Sequence, residues 1–413
     1  MTLLQHVFYR ADGESCHTRL ARLRRSVYAD SSQQARRLAE HLEFCKATVP
    51  MYRDISLCGD DPFESLRGVA VFDKQRLSAL SPQTLSVEAQ PGCRMDSTSG
   101  TSGQTFRFMI SRPELCIRKE HELLANEMLG LAPSERYLQI WGGHESASPT
   151  QRIKNAAYGL LTGRTLRTVR GPDRNSLAGC VSEVGKHAGG VLLTYPSILY
   201  GLCEIDDLAE TLKTYRAIIL TGEAVDYDLF AQFGLRANLR NRYGSREFGV
   251  IALADAGAMH YFGGRYVLET HPTHGLLVTD LAKKAMPMLR YPIGDFVDAS
   301  DSRPNSSDDI ERLTHLGSVE GRTFDVLEGR SGRRYAGTFW TLVLRKRIHV
   351  EKFRLRLGAN FQLRVDYVGD MPVEDVTEQL HDALEGDFDL VVSQVDQMPE
   401  LLNAKQKIVS WDT

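Results

Sequence analysis

Through the middle of the chain, short apolar runs alternate with helical stretches, and this alternation limits the possible folds more than any other feature. Tyr137–Trp141, Gly190–Leu193, Ala217–Leu220 and Arg236–Asn241 read as strands. Ile198–Leu212 and Asp226–Phe233 read as helices. Strand and helix in alternation predict a layered α/β domain with a mainly parallel sheet. Tyr261–Glu269 and Gly275–Leu281 have a different pattern, that of paired antiparallel strands joined through His271–Thr273.

The flanks carry other signals. Residues 15–50, rich in Arg, Leu, Ala and Gln at helical spacing, predict an antiparallel pair of helices. Ser56–Ser81 holds loop signals and a short helix ending near Leu80; Val87–Met95 predicts a strand, and Pro113–Leu129 a helix. The polar run Ser300–Asp309 marks a surface loop. Beyond Arg322 the pattern changes again, with a hairpin from His349–Leu357 and Phe361–Val368, a helix over Val373–Leu384 and a strand over Phe388–Val395. This predicts a small α+β domain hinged near residues 322–326.

Length and composition exclude several classes. At 413 residues the chain is long enough for roughly two to three domains. Its 42% hydrophobic and 25% charged residues rule out a disordered or collagen-like protein. Lys and Arg number 50 against 53 Asp and Glu, a formal net charge of −3, so bulk nucleic-acid binding is not expected. No apolar stretch is long enough for a membrane-spanning helix, and the N-terminal residues lack the pattern of a secretory signal. The 7 cysteines include no C-x-x-C pair, as expected of reduced, buried thiols in a cytoplasmic protein.

The densest chemical signal is Ser97-Thr98-Ser99-Gly100-Thr101-Ser102-Gly103. Small residues let backbone approach an anion closely, and their N–H and hydroxyl groups can surround phosphate oxygens. The spaced Gly-Lys-Ser/Thr ending of the kinase and GTPase phosphate loop is missing. Such a run also serves as an ordinary linker, so its company matters. Thr221-Gly222-Glu223 and Asn241-Arg242-Tyr243-Gly244-Ser245-Arg246-Glu247 each follow an apolar run. Arg290-Tyr291-Pro292-Ile293-Gly294-Asp295, Gly321-Arg322 and Lys405 come after them.

In order and spacing these motifs resemble the adenylate-forming superfamily of acyl-CoA synthetases, peptide-synthetase adenylation domains and luciferases. Tyr195-Pro196-Ser197, Tyr243–Glu247 and the phrase AMPMLRYPIGD at 285–295 resemble its phenylacetate–CoA ligase-like branch, which includes capsule-biosynthesis proteins. The resemblance runs from the N-terminal helices to Lys405. It implies an α/β fold with a large N-terminal domain, 1–322, of layered, mainly parallel sheets plus an antiparallel, barrel-like subdomain. A small α+β C-terminal lid domain, 326–413, would follow.

The resemblance also implies roles. The 97–103 loop would hold the β- and γ-phosphates of ATP. Gly222, Glu223 and Ala224 would line the adenine, Asn241 would bond its edge, and Tyr243 would stack on its face. Gly244 and Ser245 would complete this ATP-binding segment. Glu247 would help hold Mg²⁺, a hard cation suited to carboxylate oxygen. Asp295 and Arg322 would take the ribose, and Lys405 would bridge the carboxylate and α-phosphate as charge builds. Arg246 stands where many relatives carry Thr or Ser, and its guanidinium offers a bidentate phosphate contact. Trp141, His144, Tyr195 and Ser197 would lie near the activated acid.

The implied activity is activation of a small-molecule carboxylic acid by ATP with Mg²⁺, giving an acyl-adenylate and pyrophosphate. The acyl group then passes to a thiol, on CoA or a carrier protein, or to an amine. Departures from the family pattern bear on the second step above all: Ala404 precedes Lys405 where Gly is usual, Arg246 replaces Thr or Ser, Gln104-Thr105-Phe106 replaces Pro-Lys-Gly, and Phe324 occupies the hinge. They leave open a catalytically reduced nucleotide-binding or scaffold protein of the same fold. The basic cluster Arg345-Lys346-Arg347 suits a CoA phosphate or an acidic carrier, or simply a solvated face.

Overall fold

The computed structural model describes residues 23–24, 31–59, 61–72, 74–86, 93–97, 106–132, 135–142, 159, 164–170, 172, 174–223, 225–254, 259–271, 274–297, 311–312, 316–317, 319–322, 327–335, 340, 343–344, 348, 350, 352–396 and 409–411. The expected first N-terminal helix apart from Leu23 and Arg24, the Ser300–Asp309 loop, and residues 323–326 of the expected 322–326 hinge lie outside these residues. The chain divides into two compact units, Met1–Ile293 with Asp298–Ser318, and Gly294–Val297 with Val319–Thr413.

The first unit opens with helices α1 (Ser31–Thr48), α2 (Pro62–Arg67), α3 (Lys74–Ala79) and α4 (Pro82–Leu85). Antiparallel strands β1 (Arg94–Ser97) and β2 (Arg107–Ile110) follow, so the Ser/Thr/Gly run leaves from the end of β1. Helix α5 (Arg112–Met128) starts where Ser111 Oγ accepts from the Glu114 amide at 3.3 Å, with a proline in the first turn.

The main sheet contains β3 (Tyr137–Gly142), β4 (Arg164–Val169), β5 (Val191–Thr194), β6 (Ala217–Thr221), β7 (Leu239–Ser245), β8 (Gly249–Ala254) and β9 (His260–Tyr261). Its order is β4-β3-β5-β6-β7-β8-β9. The first five strands of that order pair in parallel, and β8 and β9 add antiparallel. Helices α6 (Arg174–Ala178), α7 (Val181–Lys186), α8 (Pro196–Cys203), α9 (Leu208–Lys213) and α10 (Tyr227–Ala231) fall between the strands.

Both faces of the sheet are buried, which explains the unbroken apolar runs. Leu138, Ile140, Leu192, Ile218 and Leu220 pack with Leu177, Val184, Ile198, Leu199, Leu202, Leu208 and Leu212 from the helices. The alternate residues Tyr137, Val191, Leu193, Ala217 and Ile219 form a second cluster with Leu131. The period of two assigns each side chain to its face.

Several expected elements differ in the structure. Ile198–Leu212 is two helices, broken at Glu204–Asp207, where Asp207 takes the left-handed φ of 62°. Arg236–Asn238 forms a 3-10 turn and the strand begins at Leu239. Tyr261 belongs to β9 of the main sheet and not to the later hairpin. Strands β4 and β8 go beyond the sequence reading: Arg164–Val169 gives no apolar run, and Gly249–Ala254 follows β7 with no helix between. Of the six described cysteines, Cys45, Cys180 and Cys203 are buried as expected, whereas Cys58 is exposed.

A separate four-stranded sheet has the order β12-β11-β10-β14, from β10 (Tyr266–His271), β11 (Gly275–Asp280), β12 (Tyr291–Pro292) and β14 (Glu311–Arg312). The β10–β11 hairpin is antiparallel as predicted, with His271 opposite Gly275. Helix α1 buries Leu38, Leu42 and Cys45 against Val267, Leu281 and Leu289 beside it.

In the second unit β13 (Asp295–Val297) pairs with β15 (Val319–Arg322), and β16 (Leu327–Glu328) with β17 (Arg334–Tyr335). The predicted hairpin is β18 (Lys352–Leu357) and β19 (Gln362–Val368), followed by α11 (Val373–Leu384) and β20 (Asp389–Gln394). Strand β21 (Val409–Trp411) completes the order β20-β19-β18-β21. Val376, Leu380 and Leu384, four residues apart on one face of α11, join Trp340, Leu355 and Val365 in the core.

Candidate active site

Four of the five parallel strands end in the residues singled out from the sequence. Trp141-Gly142 closes β3, Tyr195-Pro196-Ser197 follows β5, Gly222-Glu223 follows β6, and Tyr243-Gly244-Ser245 closes β7. In open α/β sheets the carboxyl ends of parallel strands are where ligands bind, since crossover loops and helix N-termini open there. Thr194 Oγ1 donates to the Ile140 carbonyl at 3.0 Å and Thr221 Oγ1 to the Arg242 carbonyl at 2.6 Å, tying neighbouring strand ends together.

Two pairs of these residues meet directly. The Trp141 and Tyr195 rings lie 4.8 Å apart, tilted by 57°. The Ser197 amide and hydroxyl donate to Glu223 Oε2 and Oε1, each at 2.9 Å. Glu223 therefore places a carboxylate at the N-terminus of α8, where the helix dipole favours it. Gly222, with φ of 78°, makes the turn that brings Glu223 there.

The end of β7 is shaped by a register shift between Tyr243 and Gly244. Bulges of this kind re-aim the residues that follow. A Cβ on Gly244 would stand 2.2 Å from the Gly249 carbonyl oxygen, so only glycine fits the tight β7–β8 turn. Tyr243 is buried to 9% exposure and Asn241 is partly buried.

Arg246 and Glu247, at the turn, diverge. Arg246 is exposed and its Nη2 lies 3.1 Å from Asp96 Oδ1, on the strand that leads into the Ser/Thr/Gly run. Glu247 is 3% exposed, and its Oε1 receives the Tyr291 hydroxyl at 3.0 Å and the Lys74 ammonium at 3.0 Å. Burial pushes the Glu247 carboxyl up, but the charge and hydrogen bond of Lys74 outweigh it and hold it below the usual carboxylate range. Burial and then the Glu247 charge push the Tyr291 phenol well above its ordinary value, so it stays a donor.

Behind the turn lies a buried charged frame. Arg118 donates to the carbonyls of Arg246, at 2.8 Å, and Glu247, and also to Glu114 Oε1. Lys283, fully buried, donates to the same Glu114 oxygen at 3.0 Å. The Arg265–Asp280 pair, 2.7 Å apart, gives a further Arg265 bond to the Phe248 carbonyl at 3.1 Å.

No protein-family model matches the chain, and no curated protein sequence does. Solved structures do. A crystal structure of 2-hydroxyisobutyryl-CoA ligase in the postadenylation state, in complex with R3-HIB-AMP, matches with a TM-score of 0.61 and 12% identity, over 94% of this chain and 91% of that one. The chain shares the fold of that ligase. An anthranilate CoA ligase in complex with anthranoyl-AMP matches with a TM-score of 0.51 and 14% identity, over 76% of this chain and 65% of that one.

Within this fold the first unit holds Ser97, Trp141, Tyr195, Ser197, Gly222, Glu223, Tyr243, Gly244, Ser245, Arg246 and Glu247 at strand ends or adjoining turns, and Asn241 inside β7. Asp295 and Arg322 lie in the second unit, as cross-strand partners on β13 and β15. Thr98–Gly103, His144, Ala224, Phe324, Arg345–Arg347 and Lys405 fall outside the described residues.

Sequence reasoning missed Lys74, Asp96 and Arg118, whose only signal is charge. Tyr291 lay inside a recognised motif without a role. Arg290 of the same motif is a buried clamp, with a left-handed φ of 49° and 2.8 Å bonds to the carbonyls of Arg67 and Val69.

Among the described residues no group of three His, Cys, Asp or Glu side chains is placed to hold a metal. The donor set suits Mg²⁺ only as an ion held by one carboxylate, Glu247, together with phosphate oxygens of a substrate. Among the described residues no helix is long and apolar enough to cross a membrane.

Proposed function

We propose that the protein is an ATP-dependent ligase that activates a carboxylic acid as its acyl-adenylate. One observation carries this reading: in an adenylate-forming fold, four motif-bearing strand ends open on one edge of the parallel sheet, with Arg246 anchored to the root of the Ser/Thr/Gly run. In the first step a carboxylate oxygen attacks the α-phosphorus of ATP, and the bond to the pyrophosphate oxygen breaks. A thiol or amine then attacks the acyl carbon, and AMP leaves with the bonding pair.

The chain's own residues divide this work. The 97–103 run and Arg246 would hold phosphate oxygens, while Gly222, Ala224, Asn241 and Tyr243 would take the adenine. Asp295 and Arg322 would take the ribose, and Lys405 would bridge the reacting carboxylate and phosphate. Glu247 would hold Mg²⁺, which supplies charge neutralisation on the phosphates. Trp141, His144, Tyr195 and Ser197 would border a flat or small acid. We assign residues 1–322 to ATP and acid and 326–413 to the lid.

The solved relatives, one bound to R3-HIB-AMP and the other to anthranoyl-AMP, are CoA ligases, which supports a thiol acceptor and favours CoA over a carrier protein or an amine. The phrase at 285–295 supports the phenylacetate–CoA ligase-like branch and a biosynthetic role, and cysteines without a C-x-x-C pair support a cytoplasmic one. A second reading, nucleotide binding without turnover, is favoured by the ammonium already seated on Glu247.

The test is turnover of ATP with Mg²⁺ across aryl, aliphatic and amino acids, trapping acyl-adenylate with hydroxylamine. Acid-dependent AMP, pyrophosphate and hydroxamate are expected, with Lys405→Ala lowering the rate roughly 10²–10³-fold. Release of ADP would point to acyl-phosphate chemistry. ATP binding with no turnover would leave the binding-only protein.

A further inference from the structure

The Glu247 carboxylate already has a cation. Lys74 Nζ, from α3, lies 3.0 Å from Oε1, the same oxygen that accepts the Tyr291 hydroxyl at 3.0 Å. The two side chains differ in freedom. Glu247 has a side chain 4% exposed and a backbone carbonyl pinned by Arg118, whereas the Lys74 side chain is 35% exposed. A flexible four-carbon stem with an open path to water can leave, and a buried carboxylate on a pinned turn cannot. The carboxylate is thus the fixed partner and the ammonium the exchangeable one.

We propose that Lys74 is the resident counter-ion of Glu247 and competes with a divalent cation for it, so that Lys74 sets the metal affinity of the nucleotide site. This rests on the reading of that site as one for ATP. Two cations on one carboxylate oxygen repel each other strongly where water is scarce. Metal arrival therefore displaces the Lys74 ammonium from Oε1, and release of metal lets it return. The buried carboxylate is never left unpaired, a state that would be costly.

The test is Mn²⁺ affinity of the full chain, read by electron paramagnetic resonance with α,β-methylene-ATP present. Lys74→Met should bind Mn²⁺ about tenfold more tightly than the unaltered protein, a shift of ~1.4 kcal/mol. Lys74→Arg, which keeps the charge, should bind as the unaltered protein does. Adding Glu247→Gln to Lys74→Met should abolish the gain. Unchanged or weaker Mn²⁺ binding by folded Lys74→Met overturns the proposal, and Lys74→Gln carries the same test should the methionine variant not fold. Calorimetric binding of metal-free α,β-methylene-ATP separates the two readings. Nucleotide binding without a Lys74 effect overturns the counter-ion alone, and absence of nucleotide binding overturns the ATP site and the counter-ion with it.

Discussion

Ser197 gives both its amide and its hydroxyl to the Glu223 carboxylate, 2.9 Å to each oxygen. Helix α8 would otherwise start uncapped, because the Tyr195 side chain at its N-cap does not bond to the amides of the first turn. The carboxylate that follows β6 therefore closes the helix that follows β5, and two motifs more than twenty residues apart become one rigid piece. A ligand held by either motif is positioned by both.

Removing that carboxylate tests the arrangement. Glu223→Ala should destabilise the protein by about 1–2 kcal/mol, the scale of a lost cap with charge-assisted bonds. Ser197→Ala should lose less, because its amide still reaches Glu223. Urea denaturation reads the stability, and KM values for ATP and acid should rise together in Glu223→Ala. A rise in only one would separate the two motifs.

Gly244→Ala should be costly for a steric reason. The new Cβ would meet the Gly249 carbonyl oxygen at 2.2 Å, and the opposing atom is backbone, which cannot swing aside. Overpacking of this kind costs about 1–3 kcal/mol. The urea midpoint should fall with an unchanged slope, and the β7–β8 turn should lose its shape with it.

Much of this fold was legible because apolar period and burial coincide. Val191–Thr194 and Ala217–Thr221 are buried throughout, and such strands announce themselves by composition alone. Helix α11 was readable to the residue, since its apolar positions recur every fourth residue and Pro372 precedes it. Strand β4 was not, because its burial is partial and Arg164, Thr165, Arg167 and Thr168 give no apolar run. The break in Ile198–Leu212 turns on one left-handed residue, Asp207, within a continuous helical pattern. In the site, small and aromatic motif residues could be recognised, but their ion-pair partners could not. Lys74 and Asp96 are ordinary charges until folding sets them beside Glu247 and Arg246.

Acid should weaken the protein well before its carboxylates are all neutralised. Burial, and then the charge of Lys284, lower His41 to about 3 from an ordinary 6.5. Burial, and then Arg265, lower His121 to about 3 as well. Between these values the unfolded chain holds protons that the folded chain does not. Stability is therefore full above pH 6.5 and falls as pH drops toward 3, by about 1.4 kcal/mol per pH unit for each histidine. Urea midpoints at successive pH values should show this slope, and His41→Gln should reduce it.

The Lys283–Glu114 pair should be expensive to break. Both side chains are 0% exposed, so Lys283→Met leaves Glu114 with Arg118 as its remaining cation. Loss of one partner from a buried pair costs about 3–5 kcal/mol, and Arg118 should hold the effect near the lower figure. Thermal melting reads the loss.

Arg246 should separate activity from stability. Its pairing with Asp96 is largely solvent-exposed, the two side chains being 58% and 19% accessible, so Arg246→Ala should cost less than about 1 kcal/mol of stability. If the guanidinium meets phosphate oxygens as charge builds on them, the same change should slow adenylation by about 10²-fold, the scale for one transition-state contact. Asp96→Asn offers the opposite perturbation, leaving the guanidinium in place without its anchor, and should slow adenylation less. Pyrophosphate exchange and urea denaturation on the same samples decide the matter. Full exchange activity in Arg246→Ala would reduce Arg246 to a latch between the β7–β8 turn and the strand leading to the Ser/Thr/Gly run.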